Sequence, residues 1–595
     1  MAKQGQKVED GFSVMILAAG KATRFKSEHS KMLHKLAGRL LGEYILRTAA
    51  AIEPLRVYMV IGHEAETVRK TFMRENLHFI EQTEQRGTGH ALIVSRKVIE
   101  ACPSAHLLVL VGDAPLLRPG TLRELVAAHV KSGAAATVLS TRVENPHGYG
   151  RVIRAGAAKS NRVRAIVEEK VATPAQQKIQ EINSGIICFS RALLLKHLDE
   201  LSDHNAQKEF LLTDLMEIFN RHGQRVMAFE AADAREVLGV NDRVELAGME
   251  RILRRRKAEA LAGEGVTVVD PDATYIDEDV TVGRDTVIEP GVSLLGTTRV
   301  GSACTVRLHS TITDSVLGDR VMVRPNCVIS GSEIGADVIL GPFAHLRDGA
   351  VIEPEARIGN FVEVKKSRVG RGSKAWHLTY LGDATLGEKV NIGAGTVTCN
   401  YDGEKKNHTV IDDGSFIGSG TMLVAPVNVG KGAYVGAGST ITQNVPAESL
   451  ALGRAPQVNK EGWVKARKQA NVAVSAGVRF AGPVAIIDVA GRVTLGESCK
   501  ELGKRIKQAV EGGSNQVLVN MSQVTYIDSS GLGEVVGAYS RIQRAGGQFK
   551  LAGVSKEVSY LFHVANFDRL LDLRLDEAAA LESFNQTPPK EPDKA

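Results

Sequence analysis

Much is scarce in this 595-residue sequence, and each scarcity excludes something. No stretch of about 18 apolar residues occurs, so no membrane-spanning helix is expected. The six cysteines (Cys102, Cys188, Cys304, Cys327, Cys399 and Cys499) are scattered and form no C-x-x-C pair. Neither a zinc site nor a disulfide frame is indicated, and reduced thiols in the cytosol are the simplest reading. Charge of one sign barely accumulates. A formal net charge of +6 is small for the length and does not point to nucleic acid. Aromatics make up only 5%, against 59 glycines, a pairing that suits many tight turns around an aliphatic core. The start, Met1-Ala2-Lys3-Gln4, is polar. A cytoplasmic protein without membrane association is expected.

Four patterns are present, along with a polar tail. Residues 1–245 alternate short apolar runs, such as Ser13–Leu17, Val57–Ile61 and Leu107–Val111, with stretches of helical period. This predicts a Rossmann-like α/β domain with a parallel sheet covered on both faces. A basic stretch, Arg251–Ala258, marks a linker helix over 246–265, either a solvated face or a nucleic-acid patch, with the low net charge against the latter. From 266 to about 445 an aliphatic–Gly pair recurs at a six-residue period, as in Val282-Gly283, Val300-Gly301, Ile334-Gly335, Ile358-Gly359 and Ile417-Gly418. That period belongs to neither an ordinary helix nor an ordinary sheet. It predicts a left-handed parallel β-helix over 266–465, three sides per coil and about 18 residues per turn. The polar break at 400–407 reads as a loop inserted between coils. Residues 480–575 read as a small α/β domain, with strands at Val484–Val489 and Gln516–Asn520 and helices at Cys499–Val510 and Leu532–Arg544. The tail 586–595 is expected to be disordered.

Three segments carry chemistry in the first domain. Leu17-Ala18-Ala19-Gly20 follows a strand, and small residues there let backbone N–H groups approach an anion, with Arg24 and Lys31 to neutralise phosphate. A purely structural turn is the alternative. The polar, Gly-rich loop from Gln82 through Gly87 and Thr88 suits a nucleobase edge. Val111-Gly112-Asp113 places a carboxylate at the end of a buried strand, where open α/β sheets bind ligands and where Mg²⁺ finds oxygen donors.

In order and spacing these segments resemble the sugar-nucleotide pyrophosphorylases, and specifically the bacterial bifunctional N-acetylglucosamine-1-phosphate uridylyltransferase/glucosamine-1-phosphate acetyltransferase family. The resemblance covers about 12–465 and includes Gly148–Arg151, Val167–Lys170, Glu181–Gly185 and Gly239–Asn241. It implies that Leu17 to Gly20, Val111 and Gly112 hold the nucleotide, that Gln82, Gly87 and Thr88 read uracil, and that Arg24 and Lys31 act on the triphosphate. Gly150, Glu168 and Asn183 would bind the sugar, and Asp113 and Asn241 would hold Mg²⁺. This chain departs from the family at Ala22, where glycine is usual, and at Ser30, where proline is usual.

In the repeat region, His377 sits with Glu363, Lys365, Tyr380 and the loop Cys399–Gly403. A histidine in such a repeat is either structural or chemical. Glu363 and Asn391 lie 14 positions to either side of it, a separation that short coil sides bring near one another. The resemblance implies that His377 is the general base for the amine of glucosamine 1-phosphate and that Glu363 orients it. Arg347, Lys365, Tyr380 and Asn391 would bind the amino sugar phosphate. Ala394, Asn400, Tyr401, Ser419, Ala437 and Arg454 would line the acetyl-CoA side. Family members are trimers with this site between neighbouring β-helices, so a homotrimer is expected. Trp376 replaces a smaller residue and either narrows the pocket or covers the seam.

Tyr526-Ile527-Asp528-Ser529-Ser530-Gly531 follows a strand and opens a helix. It resembles the signature of STAS domains, the anti-sigma-factor antagonist family. The resemblance implies that Ser529 is phosphorylated by an anti-sigma-type kinase. The alternative is that Asp528 and Ser529 only cap the helix. The expected activity is synthesis of UDP-N-acetylglucosamine for cell-wall and lipopolysaccharide precursors. Glucosamine 1-phosphate is acetylated from acetyl-CoA, then N-acetylglucosamine 1-phosphate reacts with UTP. Two rivals are a uridylyltransferase whose β-helix is only a scaffold, and a signalling protein using a degenerate enzyme as a sensor.

Overall fold

The computed structural model describes residues 11–585 apart from 22, 157–159, 206–207 and 473–474, with side chains of 469–472 also left out. The tail 586–595 and Ala22 lie outside the described residues. The chain divides into two compact units, residues 1–454 and 455–595. Among the described residues no helix is long and apolar enough to cross a membrane.

The first unit opens with a sheet whose central strands are near-continuous apolar runs, as burial on both faces requires. Its main strands are β1 (Phe12–Leu17), β2 (Val57–Ile61), β3 (Leu77–Glu81), β4 (His106–Val111), β5 (Ala136–Arg142), β6 (Glu181–Ser190) and β7 (Val226–Glu230). They lie in the order β7-β5-β6-β4-β1-β2-β3. The sheet is mixed rather than parallel throughout: β6 runs antiparallel to both β4 and β5. The strand enters from an antiparallel hairpin, 151–154 with 163–167, and keeps that sense. The order reverses around β1 and β4, whose ends open into the crevice described below.

A helix over Arg243–Gly263 leads out of this sheet. Asp242 caps it, accepting from the N–H groups of Val244 (2.9 Å) and Glu245 (2.8 Å). Several cations of its basic stretch are paired within the chain. Arg254 meets Glu250, Arg255 meets Glu259, and Lys257 donates to the Glu278 carbonyl. These pairings favour the linker-helix reading.

The repeat region is a parallel β-helix with three strand columns. One inward column runs Ile276, Leu294, Ile312, Ile329, Leu346, Val364, Leu381, every member essentially buried. Each such side chain contributes about 1.5–3 kcal/mol on burial. The steps are 17 or 18 residues, so a coil is slightly shorter than three full hexapeptides in its middle turns. One step stretches to 25, from Thr385 to Val410, because the loop predicted at 400–407 is inserted there. That loop closes on itself through a bridge between Tyr401 and Lys406. The coils stack so closely that a Cβ at Gly359 would overlap the Trp376 carbonyl.

The second unit carries a five-stranded sheet over Ser475–Ala481, Val484–Val493, Gln516–Ile527, Gln548–Ala552 and Asp572–Arg574. The first pair is antiparallel and the rest parallel. Helices Glu497–Glu511 and Ser529–Arg544 follow the predicted segments, each starting two or three residues earlier than expected.

Candidate active sites

A cavity of about 850 Å³ opens at the ends of β1 and β4. Its lining includes Leu17 to Gly20, Arg24, Lys31, Gln82, Gly87, Thr88, Val111, Gly112, Asp113 and Glu168, so three sequence-distant segments meet as expected. Gly112 N–H donates to the Leu17 carbonyl at 3.0 Å, which locks the two strand ends side by side. Gly87 stands at φ 102°, and a Cβ there would lie 2.5 Å from the Phe210 carbonyl. Only glycine suits this corner. Gln82, nearly buried, donates to the Gly87 carbonyl at 3.2 Å and so shapes the same loop.

Lys31 Nζ sits 2.5 Å from Asp113 Oδ2. Arg24 donates to Asn241 Oδ1 at 2.9 Å, and Val240 N–H donates to the Asp113 carbonyl at 2.9 Å. Arg24, Lys31 and Asp113 thus line the cavity together, with Asn241 tied to them through Arg24, so two oxygen donors accompany the two cations. The donors are a carboxylate and an amide carbonyl, the hard oxygen set that Mg²⁺ prefers. Glu168 is largely buried, and burial raises its pKa while the Thr213 hydroxyl, donating at 3.2 Å, opposes that. Gly150 packs beside it: a Cβ there would lie 3.5 Å from the Glu168 carboxylate oxygens. Asn183 joins the neighbourhood through its N–H, which donates to the Gly150 carbonyl at 2.8 Å. Ser30 is buried, and its N–H donates to the Glu64 carboxylate. A proline at that position would lack this donor.

The β-helix holds a second cluster where two long strands, β8 (Arg357–Lys365) and β9 (Lys374–Gly382), run through a corner. Here β8 and β9 are numbered after the seven sheet strands. Their register is offset by 17 residues. Asn360 therefore faces His377, Glu363 faces Tyr380, and Lys365 faces Gly382. Arg347 stacks on Lys365 from the coil above and binds Glu363 through Nε at 2.9 Å. The His377 partner is Asn360: Nδ1 lies 2.8 Å from Asn360 Oδ1. Glu363 engages Arg347 instead, so it is placed to fix the guanidinium. Lys406, from the inserted loop, lies against Lys365 and pushes its pKa down. Asn400 donates to Asp383 at 2.5 Å and reaches the Tyr380 hydroxyl at 3.5 Å. Asn391 stands in a different column, below Lys374.

From His377 a run of small residues continues down the same corner. Gly395 N–H donates to the Leu378 carbonyl (2.8 Å), Gly420 N–H to Ala394 (2.7 Å) and Gly438 N–H to Ser419 (2.8 Å). His377, Ala394, Ser419 and Ala437 thus follow one another coil by coil, with the Arg454 side chain beside Gly438. Beside His377, Phe343, Phe361 and Leu378 hold left-handed backbone at successive coils and form an exposed apolar ridge. The rings of Phe343 and Phe361 stack at 5.3 Å. The Trp376 indole lies against Arg324 at 5.8 Å.

In the second unit Asp528 caps the helix Ser529–Arg544, accepting from Ser530 and Gly531 N–H groups at 2.9 Å each, and from Leu495 N–H at 2.9 Å. Burial raises its pKa, but these N–H groups outweigh that and hold it low. Ser529 is exposed, and its neighbour Leu495 projects into solvent.

Family comparisons agree with this geometry. Residues 14–264 match the MobA-like NTP transferase domain, 331–366 and 408–443 match the bacterial transferase hexapeptide model, and 477–580 match the STAS domain. The bifunctional protein GlmU of Koribacter versatilis is 48% identical over 458 residues, 77% of this chain and 97% of the relative. The chain belongs to the GlmU family. GlmU proteins of Pelobacter propionicus and Trichlorobacter lovleyi are also 48% identical, over 76% of this chain and 98% and 97% of theirs.

Set against the GlmU family's expected residues, Asn360 is the one that sequence reasoning missed. The signal was its 17-residue offset from His377, where a 14-residue offset had pointed to Glu363. Asn360 Oδ1 can only accept, so this contact favours the His377 tautomer with the proton on Nδ1 and the lone pair on Nε2. We expect Asn360→Ala to lower the kcat of acetyl transfer roughly 10-fold while the KM for acetyl-CoA stays near the parent value, a split that a merely structural role would not give. An unchanged kcat would refute the positioning role.

Proposed function

We propose that this chain makes UDP-N-acetylglucosamine by two successive transfers. The observation that carries the proposal is the convergence of Lys31–Asp113 and Arg24–Asn241 on a cavity framed by the Leu17–Gly20 turn and the Gln82–Thr88 loop. The first transfer acetylates glucosamine 1-phosphate. His377 takes a proton from the amine, which attacks the acetyl-CoA thioester; the C–S bond breaks and coenzyme A leaves as its thiolate, which takes up the proton. Arg347, Lys365, Tyr380 and Asn391 hold the sugar phosphate, and the corner from Ala394 to Ala437, with Asn400, Tyr401 and Arg454, receives acetyl-CoA. Asn391 fits this set only if the sugar spans two columns of the coil. The exposed Phe343–Phe361–Leu378 ridge supports a homotrimer whose neighbouring chain covers it and completes the site.

In the second transfer the phosphate of N-acetylglucosamine 1-phosphate attacks the α-phosphorus of UTP, and pyrophosphate leaves. Gly150, Glu168 and Asn183 place the sugar, Gln82, Gly87 and Thr88 read uracil, and Arg24 and Lys31 meet the triphosphate. Nucleotidyl transfer here depends on a divalent cation; Asp113 and Asn241 would hold Mg²⁺, which would supply positive charge against the triphosphate. Lys31 and Arg24 would turn from those two side chains to the phosphates when UTP enters. A coupled assay with glucosamine 1-phosphate, acetyl-CoA, UTP and Mg²⁺ tests the whole scheme: UDP-N-acetylglucosamine should appear only with all four. Product forming without acetyl-CoA, or no pyrophosphate with N-acetylglucosamine 1-phosphate supplied, would overturn it.

The STAS unit we read as regulatory, with Ser529 the residue taken by an anti-sigma-type kinase. Its exposure at the helix start supports this reading, since the N-terminal dipole tolerates a phosphate. Incubation with such a kinase and ATP should add one phosphate that Ser529→Ala loses. Phosphate retained in Ser529→Ala would move the site elsewhere.

A further inference from the structure

Outside both active sites, two imidazoles and a carboxylate share one small space. His197 ends the helix Arg191–His197, Glu200 ends the short turn Leu198–Glu200, and His222 follows the helix Asp214–Arg221. Nδ1 of His197 lies 2.6 Å from Glu200 Oε1, and Nε2 of His222 lies 2.9 Å from Glu200 Oε2. The two rings are 4.4 Å apart, and the three ligand atoms all fall within 4.8 Å of one another. Among the described residues no other group of three His, Cys, Asp or Glu side chains is close enough to share an ion.

The cluster is half rigid and half open. His197 is buried and packs edge-on against Phe219 at 5.8 Å, which fixes one ligand in advance. Glu200 and His222 keep 35% and 44% of their side-chain surface, so an ion has a path in and room for water as a fourth ligand. Two imidazoles with one carboxylate form a borderline-soft set. It suits Zn²⁺ or a neighbouring first-row divalent ion and disfavours Mg²⁺ or Ca²⁺, which take oxygen. Tetrahedral bonds of about 2.0–2.1 Å place ligand atoms roughly 3.3 Å apart, so side-chain shifts of roughly half an ångström from the 2.6 Å and 2.9 Å contacts admit an ion.

The ligands also stand at the two ends of one segment, and the middle of that segment forms a wall of the nucleotide cavity. Glu209 and Leu211 line the cavity. The Phe210 carbonyl accepts from Gly89 N–H at 2.8 Å, and Leu212 N–H donates to the Thr88 hydroxyl at 3.2 Å. Thr213 holds Glu168. An ion joining His197 and Glu200 to His222 closes the base of this wall.

We propose that His197, Glu200 and His222 bind a divalent transition-metal ion of the Zn²⁺ class, which clasps the segment 198–222 behind the nucleotide cavity. The binding site stands without the uridylyltransferase reading. Only its consequence for UTP rests on that reading.

The test uses the full-length, untagged protein, stripped with chelator and free of nucleotide, titrated with ZnCl₂ by calorimetry and followed by thermal melting. One Zn²⁺ per chain should bind and raise the melting temperature. His222→Ala, at an exposed position that the fold tolerates, should weaken binding at least about 10-fold and remove the stabilisation. Glu200→Gln, which keeps hydrogen-bonding capacity but loses the charge, should do the same. Asp113→Ala should bind Zn²⁺ as the parent does, which separates this site from the nucleotide metal. Absence of saturable binding, or binding unchanged in both His222→Ala and Glu200→Gln, would overturn the proposal. Failure of UTP turnover with Zn²⁺ binding intact would instead count against the uridylyltransferase reading.

Discussion

Replacing His377 with alanine is expected to cut acetyl transfer by about 10²–10⁴-fold while leaving uridylyl transfer at its parent rate. The size follows from the role. A protonated amine cannot attack a thioester, and in the proposed mechanism His377, its Nδ1 held by Asn360 at the head of the Ala394–Ser419–Ala437 run, takes that proton. The selectivity follows from the fold, because the cavity between β1 and β4 takes none of its lining from the β-helix. His377 is exposed, so its loss opens no core cavity and the variant should melt with the parent. The measurement is a pair of assays on one preparation: free thiol released from acetyl-CoA, and pyrophosphate released from UTP with N-acetylglucosamine 1-phosphate. Equal loss in both would mean that the substitution damages the protein as a whole. Undiminished thiol release would make the β-helix a scaffold only.

How much of this was legible in advance depended on whether a residue's role is written in a period. The six-residue repeat announced the β-helix because every inward position must be small or aliphatic to stack, and Ile276 through Leu381 obey that rule. The strand-end segments around Gly20, Gly87 and Asp113 were legible because close backbone approach demands small residues at fixed places. Coil length was less so. Eighteen is the sum of three ideal sides, but the strands carrying His377 are offset by 17, which puts Asn360 opposite the histidine and leaves Glu363, 14 positions away, opposite Tyr380. The antiparallel sense of β6 was invisible, since a strand buried on both faces reads the same in either direction. The His197–Glu200–His222 group escaped for another reason. Its members stand at the ends of separate elements, with His222 lying 22 positions beyond Glu200, and no cysteine spacing draws attention to them.

The Asp113→Ala variant is expected to lose uridylyl transfer by on the order of 10³-fold, with acetyl transfer unchanged. Two effects add. In the proposed site the Asp113 carboxylate, held beside Asn241 by the Val240 N–H, is the anionic ligand, so its removal would leave the cation the amide oxygen of Asn241. It also removes the partner that fixes the Lys31 ammonium 2.5 Å from Oδ2, so the cation is no longer positioned at the cavity. Asp113→Asn separates the two effects. It keeps an oxygen and nearly the same volume but not the charge, so most of the loss should remain if charge toward the cation dominates. If instead the aspartate serves mainly to hold Lys31 in place, asparagine should restore much of the rate, because Lys31 can still donate to the amide oxygen. Raising Mg²⁺ should partly rescue both variants when the defect is cation affinity. A rate in Asp113→Ala within a few-fold of the parent at limiting Mg²⁺ would remove this carboxylate from the metal site altogether.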